Sequence, residues 1–215
     1  MIIPKIGRSV PKTSTTDRLI RQAASWALCY PDDDVCARMP QLTEAMNELS
    51  PGDGRDAMLR FLDAWMAVPA DQRRRDYVQM FDLDRNYALH LSYWTDGDTR
   101  RRGQALADIK QIYRTSGFLL NDDQELPDHL TIVLEFAALV DPTAGNRLLQ
   151  DYRPSLELIR LALADRGSPF ADVLVAVCST LPGESPKDRA AVQALAGPPP
   201  VEAVGLNSIG MEGYR

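Results

Sequence analysis

Residues 127–140 read PDHLTIVLEFAALV, a strongly apolar stretch bounded by Pro127 on one side and by Asp141-Pro142 on the other. Because the residue before a proline disfavours helical backbone, these boundaries predict one helix between them. The run is shorter than the roughly 20 residues that span a bilayer, so we expect it at the centre of a globular core. Glu135 is predicted to be buried by this pattern and would then need a partner such as an arginine.

Apolar residues recur at helical spacing on both sides of this stretch, and strand-like alternation is scarce. Two of the apolar stripes consist of Leu19, Ala23, Trp26, Ala27 and Tyr30, and of Met58, Phe61, Leu62, Trp65 and Val68. A third, through residues 35–49, contains Pro40, which should bend or divide its helix. Further helices are predicted at about residues 70–80, 84–93, 99–116, 143–166 and 169–181. The fold class is therefore all-α, a single compact bundle of roughly eight to ten helices.

The two ends of the chain differ in composition from the part between them. Residues 1–15 are expected to form a flexible arm, and residues 16–182 the helical domain. From residue 183 to residue 215 the chain is rich in glycine and proline and poor in large hydrophobic side chains, which predicts a mobile tail.

Composition restricts the class of function. The 215 residues include 30 acidic and 24 basic side chains, and the formal charge of −6 disfavours a nucleic-acid surface and favours a basic partner. The three cysteines are too scattered for a zinc framework and too few for a secreted disulfide scaffold, which favours a reducing cytoplasm. We expect neither a membrane span nor a signal peptide, since the amino terminus lacks a sustained apolar core.

Residues suited to catalysis are scarce. The chain has two histidines, His90 and His129, and the adjacent pair Asp128-His129 lacks the spacing that places two ligands on one helix face. The glycines of SPGDGRD (50–56) are not followed by the Gly-Lys-Ser/Thr of a phosphate-binding loop. Cys36 has no neighbouring histidine to activate it. We therefore predict no catalytic residue, no metal site and no cofactor.

A local concentration of charge lies at residues 95–103, TDGDTRRRG. One interpretation is the start of a helix that Asp98 caps, with the arginines on a solvated face. The helix dipole, however, disfavours three cations in a first turn. Acidic neighbours are therefore expected to fix the arginines in a rigid lattice, and the candidates are Asp82, Asp84, Asp96 and Asp98.

Aromatic side chains precede this segment. Tyr77 and Phe81 are spaced i,i+4, and Tyr87, Leu91 and Trp94 continue the stripe. The stripe is either ordinary core packing or the floor of a groove with an acidic rim. Such a groove would accept an apolar helix that carries basic residues.

Three segments, taken in order, resemble a known family. They are ALCYPDDDV (27–35), YVQMFDLDRNYALHLSYWTDGDTRRRGQALADIKQIYRTSGF (77–118) and ELPDHLTIVLEFAAL (125–139), followed by a tail that contains PPPVEAVGL. This order is similar to that of the delta-subunit or NarJ-type chaperones that assemble respiratory nitrate reductase, within the TorD-like redox enzyme maturation proteins. The resemblance covers most of the chain and rests chiefly on TDGDTRRRG and ELPDHL.

The resemblance implies an all-helical cytoplasmic protein that is not an enzyme. It would bind the apo catalytic (alpha) subunit of nitrate reductase, including the remnant of a twin-arginine signal at its amino terminus. It would permit insertion of the molybdenum cofactor before the enzyme docks at the membrane, with which the chaperone itself associates only indirectly.

The same resemblance supplies the candidate site residues, either as contacts to the client or as parts that hold the fold: Tyr77, Phe81, Asp82, Tyr93, Asp96, Gly97, Asp98, Arg100, Arg101, Arg102, Gly103, Pro127, Asp128, His129 and Glu135. For the second signature the alternative is a turn set by Pro127, with Asp128 as a helix cap. No role is implied for residues 1–15 or for the proline-rich tail.

Three other functions stay open at this point. The client could be another molybdoenzyme, or the protein could be a nucleotide-binding helical enzyme, although no phosphate-binding loop is visible. A helical adaptor or transcriptional regulator is a further alternative, against which the acidic balance argues. The sequence leaves the oligomeric state open.

Overall fold

The structure, a computed structural model, describes residues 13–97, 99–120 and 125–196. Over these ranges the chain is helical and has no β-strand. The α-helices are α1 (Thr15–Ala27), α2 (Asp33–Glu48), α3 (Asp53–Met66), α4 (Ala70–Tyr77), α5 (Leu91–Asp96), α6 (Arg100–Thr115), α7 (Leu130–Glu135), α8 (Pro142–Asp151), α9 (Arg153–Asp165), α10 (Phe170–Ser179) and α11 (Arg189–Ala196). Two π-helical segments, Val78–Asp82 and Phe136–Val140, continue α4 and α7, and a 3-10 turn covers Arg85–Tyr87. This confirms the all-α prediction.

The core forms where α10 packs against α3 and α9, and where α1 packs against α7 and α10. Phe61 and Leu62 of α3 and Val173 and Leu174 of α10 are fully buried there. Full burial of one such side chain contributes about 1.5–3 kcal/mol, so this interface is a principal source of stability.

Two buried charged groups lie within this core. The Arg21 guanidinium of α1 donates to Asn146 Oδ1 at 2.7 Å and to Thr180 Oγ1 at 3.0 Å. Glu157 of α9 is completely buried between Arg153, at 3.3 Å, and Arg160, at 2.7 Å. A buried carboxylate needs such partners, because it has lost its hydration.

The stretch 127–140 forms the predicted central helix, but in two parts. Leu130, Val133 and Leu134 are buried in α7, and the π-helical segment 136–140 continues the buried face. The predicted burial of Glu135 was wrong, since its side chain is exposed. Glu135 and Leu139 lie one turn apart on the narrow solvent face of this helix, so the carboxylate remains hydrated and needs no arginine.

The helix predicted at residues 84–93 is also absent. Asp84 accepts a hydrogen bond from the backbone N–H of Asn86 at 3.0 Å and so favours the short 3-10 turn. The chain then runs extended to His90, where α5 begins. As a result Tyr87 and Trp94 do not continue the stripe of Tyr77 and Phe81.

The sequence prediction missed a helix near the carboxyl end. Val192 of α11 is buried, and α11 packs against α9. Arg160 donates to the carbonyl oxygen of Pro186 at 2.6 Å, and Arg153 donates to that of Gly183 at 2.9 Å. The chain from 183 to 196 thus contacts the bundle. Residues 1–12 of the arm predicted at 1–15, and the tail after residue 196, lie outside the described residues. Pro40 lies inside α2, which is continuous.

Candidate functional site

Two loops that are distant in the sequence meet at the starts of α5 and α7. His90 and His129 face each other in an antiparallel β-bridge. The backbone N–H of Leu91 donates to the carbonyl oxygen of Asp128 at 3.0 Å, and that of Leu130 donates to the carbonyl oxygen of Leu89 at 2.8 Å. These two bonds fix the PDH motif against the segment that precedes TDGDTRRRG.

Asp128 is the centre of this junction and is completely buried. Its Oδ2 accepts from the Ser92 backbone N–H at 3.1 Å and from the Ser92 hydroxyl at 2.6 Å, and its Oδ1 lies 3.2 Å from His90 Nδ1. The carboxylate therefore caps the start of α5 across the loop junction, whereas the sequence suggested a cap on its own helix, α7.

Burial disfavours the charged form of Asp128, but its partners outweigh that effect. Hydrogen bonds from His90 and Ser92, together with the charges of His90 and Arg102, hold the pKa of the carboxyl below its ordinary value. Asp128 is therefore ionised at neutral pH, and it accepts hydrogen bonds rather than donating them.

Arg102 connects the arginine signature to the same carboxylate. Its Nη2 lies 3.9 Å from Asp128 Oδ2, its Nε lies 3.4 Å from Ser92 Oγ, and its guanidinium lies 5.9 Å from the centre of the Tyr93 ring. Pro127 is joined to α6 as well, because its carbonyl oxygen accepts from the Tyr113 hydroxyl at 2.8 Å. The two signatures thus form one buried junction.

The other members of TDGDTRRRG lie on the outer side of this junction. Arg101 approaches Asp96 at 3.7 Å, and Arg100 and Gly103 are exposed on α6. Gly97 ends α5 with a φ of 59°, a conformation that favours glycine. Asp98 lies outside the described residues.

Among the described residues, two contacts of the arginines with acidic side chains belong to this region. Asp96 and Arg101 pair, and Arg102 approaches Asp128, which was not among the predicted acids. Asp84 is occupied by its own turn, and Asp82 faces a cavity on the other side of the junction.

This cavity of about 360 Å³, here called the histidine cavity, opens beside the loop junction. Four of the predicted site residues line it, namely Tyr77, Phe81, Asp82 and His129. The other lining residues are Cys29, Tyr30, Leu89, His90, Glu125 and Thr131. All six lie within the three segments that carry the family resemblance, but none of them was among the predicted site residues.

Aromatic rings in edge-to-face and tilted contacts form one wall of the histidine cavity. The Tyr77 ring lies 4.9 Å from that of Phe81 and 5.6 Å from that of Tyr30. The Tyr77 hydroxyl donates to the carbonyl oxygen of Leu28 at 2.9 Å, and burial raises the pKa of this hydroxyl. Both sequence interpretations apply here, since Tyr77 is a buried core residue and also lines the cavity. Phe81 and Asp82 lie on the π-helical segment, a feature that is frequent at functional sites.

A second cavity of about 260 Å³, here called the leucine cavity, adjoins the first through Glu125, which lines both. Phe118, Leu119, Leu120, Ile132 and Glu135 complete its lining. The acidic side chains of the two linings are Asp82, Glu125 and Glu135, and neither lining includes a lysine or arginine from the described residues. The joined surface therefore combines aromatic and aliphatic side chains with polar groups, and its charged side chains are all acidic.

The two histidines hold their rings in defined positions. The ring centres are 5.0 Å apart at an angle of 71°, and His129 Nδ1 lies 2.7 Å from the Thr131 hydroxyl oxygen. Burial and the neighbouring His90 lower the pKa of His129 to about 4, so its imidazole is neutral at neutral pH.

A separate cavity of about 300 Å³ lies between α3, α4 and the loop before α10. Its lining includes Arg73 and Arg166 and none of the predicted site residues. The guanidinium of Arg73 lies over the Trp65 ring, 3.9 Å from its centre. Asp76 also belongs to this lining, so the cavity carries charges of both signs, whereas the charged side chains of the joined surface are all acidic.

None of the described helices is both long and apolar enough to cross a membrane.

The fold has a counterpart among solved structures. It matches that of a redox enzyme maturation protein from Archaeoglobus fulgidus with a TM-score of 0.57 at 18% sequence identity, over 83% of this chain and 96% of the other. The two chains thus share a fold.

The sequence comparison is more specific. The family model described as "Nitrate reductase delta subunit" matches residues 33–176, and the chain therefore belongs to this family. That range includes the loop junction and nearly all of the residues that line the two cavities.

Three relatives illustrate the family. The chain is 30% identical to the "Probable nitrate reductase molybdenum cofactor assembly chaperone NarJ" of Bacillus subtilis, over 78% of this chain and 91% of the relative. It is 30% identical to the "Nitrate reductase molybdenum cofactor assembly chaperone NarJ" of Escherichia coli, over 70% of this chain and 66% of the relative. It is 37% identical to the "Nitrate reductase-like protein NarX" of Mycobacterium tuberculosis over 80% of this chain, which spans about a quarter (26%) of that relative.

Proposed function

We propose that this protein is a cytoplasmic assembly chaperone that binds the apo catalytic subunit of a respiratory nitrate reductase and permits insertion of its molybdenum cofactor before membrane docking. The observation that carries the proposal is the family match over residues 33–176, together with the alignment over 91% of the Bacillus subtilis NarJ. In this proposal the protein binds and releases its client and catalyses no reaction.

The joined surface of the two cavities is the proposed contact for the amino-terminal segment of the client. Tyr30 and Leu119 are 43% and 75% exposed and supply apolar area. Asp82, Glu125 and Glu135 supply negative charge around it. A segment with apolar side chains and flanking arginines complements this pattern, and the net charge of −6 favours its approach.

The loop junction has a different part in the proposal. Asp128 is completely buried and cannot contact a client directly, but it holds His90 beside His129 at the edge of the histidine cavity, and Arg102 lies against its carboxylate. We therefore assign TDGDTRRRG and PDH mainly to positioning this surface, and we assign the contacts to the cavity linings.

The test is a calorimetric titration of the full chain with a peptide that copies the amino terminus of the nitrate reductase catalytic subunit from the same organism. A scrambled peptide is the control, and the intact apo subunit is titrated in parallel. Saturable binding of the native peptide alone supports the proposal. Failure of both the peptide and the subunit to bind overturns it, and binding of the subunit alone moves the contact away from the amino terminus.

Charge reversal locates the contact. Asp82→Lys should weaken peptide binding by about tenfold or more, equivalent to about 1.4 kcal/mol, because it places a cation against the arginines of the peptide. Asp63→Lys is the matched control, since Asp63 is exposed on α3 and lines neither cavity. Equal affinities for the two variants would exclude the acidic rim as the contact.

A further inference from the structure

We propose that His90, Glu125 and His129 form a binding site for a late first-row divalent metal ion such as Zn²⁺. This inference concerns a ligand of the chaperone itself and does not depend on the identity of the client. Two imidazoles and one carboxylate are a donor set that zinc uses in proteins.

The donor atoms are already close together. One ligand atom from each of the three residues lies within 4.8 Å of the other two. A zinc ion binds imidazole nitrogen at about 2.0–2.1 Å, which places the ligands of a tetrahedral site about 3.3 Å apart. The ligand atoms must therefore approach one another by about 1.5 Å or less to close the site, a distance that side-chain rotation can supply.

The Nδ1 atoms of both histidines already have hydrogen-bond partners, which leaves the two Nε2 atoms for a metal. His90 Nδ1 lies 3.2 Å from Asp128 Oδ1, and a hydrogen bond donated by Nδ1–H to this oxygen leaves the lone pair on Nε2. His129 Nδ1 lies 2.7 Å from the Thr131 hydroxyl oxygen, which can accept a hydrogen bond from Nδ1–H, and this likewise leaves Nε2 for a metal. Metal-binding histidines usually have such partners, because these bonds fix the tautomer and the ring orientation.

The backbone makes this arrangement rigid where it matters. The β-bridge joins His90 to His129 directly. Asp128, which orients His90, also accepts a hydrogen bond from the backbone N–H of Ser92, two residues after His90. Glu125 lies at the cavity mouth and is exposed, so the ion would enter from solvent. Three protein ligands leave a fourth position for water or for a donor from a bound partner.

The residues also explain why the sequence alone did not suggest this site. Both histidines of the chain belong to it, but they are 39 residues apart in the sequence, and neither has the i,i+4 partner that marks a helical metal site. Only the junction of the two loops places their rings 5.0 Å apart.

The experiment titrates Zn²⁺ into the full chain after removal of metal with chelator and removal of any histidine tag. The expected result is one saturable site, with binding weakened at least tenfold by His90→Gln, by His129→Gln and by Glu125→Gln. Glu44→Gln, at an exposed glutamate of α2 outside both cavities, should leave the affinity within about twofold of the wild-type value. Thr131→Val removes the partner of His129 Nδ1 and should weaken binding by about tenfold.

Cobalt provides a second readout that is independent of affinity. Co²⁺ bound at the site should give the visible absorption of a nitrogen- and oxygen-ligated ion without the near-ultraviolet band of a cobalt–thiolate bond. Glu125→Gln separates loss of a ligand from loss of folding. Because the Glu125 side chain is exposed, the far-ultraviolet circular dichroism of this variant should equal that of the wild type.

Two results would overturn the inference. The first is the absence of saturable zinc binding by the folded wild-type chain. The second is binding that persists unchanged in the His90→Gln, His129→Gln double variant, which would place the ion on the cysteines or on scattered surface acids.

Discussion

Replacing Asp128 by Asn tests whether the buried carboxylate holds the two signatures together. The carboxylate accepts at both oxygens, from His90 at Oδ1 and from Ser92 at Oδ2. An asparagine has one acceptor oxygen, so its NH₂ group must face a donor on one side. The substitution also removes a negative charge 3.9 Å from the Arg102 guanidinium.

The size of the effect follows from these contacts. Loss of one hydrogen bond to a charged group costs about 1.5–3 kcal/mol. Removal of the charge beside the partly buried Arg102 adds to that cost, and breaking a buried ion pair costs up to about 3–5 kcal/mol. We expect Asp128→Asn to lower the free energy of unfolding by about 2–4 kcal/mol at pH 7.

The effect should depend on pH with a defined sign. The folded-state pKa of Asp128 lies below its unfolded value, so the carboxylate stabilises the fold above about pH 4. This contribution is lost as the pH falls through the folded-state pKa. The difference in stability between the wild type and Asp128→Asn should therefore be full at pH 7 and shrink below about pH 4.

The assay is urea denaturation of metal-free protein, followed by circular dichroism at several pH values. Asp96→Asn is the matched control, because Asp96 belongs to the same signature but pairs at 3.7 Å with Arg101, whose side chain is 49% exposed. A surface pair of this kind contributes about 0–1 kcal/mol. Equal destabilisation by the two substitutions, or a difference independent of pH, would refute the proposed role of Asp128.

Three further predictions concern packing, and each is measured by the same denaturation assay. A Cβ at Gly145 would lie 2.3 Å from Ala137 Cα, so Gly145→Ala should cost about 1–3 kcal/mol, whereas Gly103→Ala, in open space inside α6, should stabilise by about 0.5–1 kcal/mol. Destabilisation by the second substitution would instead assign Gly103 a packing role. Val192→Ser should destabilise by about 1–2 kcal/mol and Leu195→Ser hardly at all, because their side chains are 1% and 51% exposed; equal stabilities would indicate that α11 does not pack in solution. Glu157→Gln should cost about 3–5 kcal/mol, since it removes the anion between the buried Arg153 and the partly buried Arg160, and a loss below 1 kcal/mol would contradict that pairing.

The two signature motifs, TDGDTRRRG and PDH, meet at the loop junction. Arg102 comes from TDGDTRRRG and Asp128 from PDH, and they approach each other only because the two loops are bridged in register. The structure also explains how the first turn of α6 accommodates three arginines. Arg101 and Arg102 have acidic neighbours, and Arg100 is exposed to water.

The sequence by itself determined the helical architecture, because apolar spacing is a local property that survives in each segment. The central helix at 127–140, α6 with its arginine-rich start and α10 all follow from that spacing. It also determined the family resemblance, which the match over residues 33–176 confirmed. It misassigned Glu135, since a single charge within an apolar run is buried or exposed according to which narrow face of the helix meets solvent.

Only the tertiary structure decided which side chains share a site. The pairing of His90 with His129, the burial of Asp128 and the position of Glu125 at the mouth of both cavities depend on contacts between loops far apart in the sequence. Periodicity carries no information about such contacts, because it describes the face of one helix and not the loop that another helix brings against it. The same limit hid α11, whose single buried valine becomes a core residue only against α9.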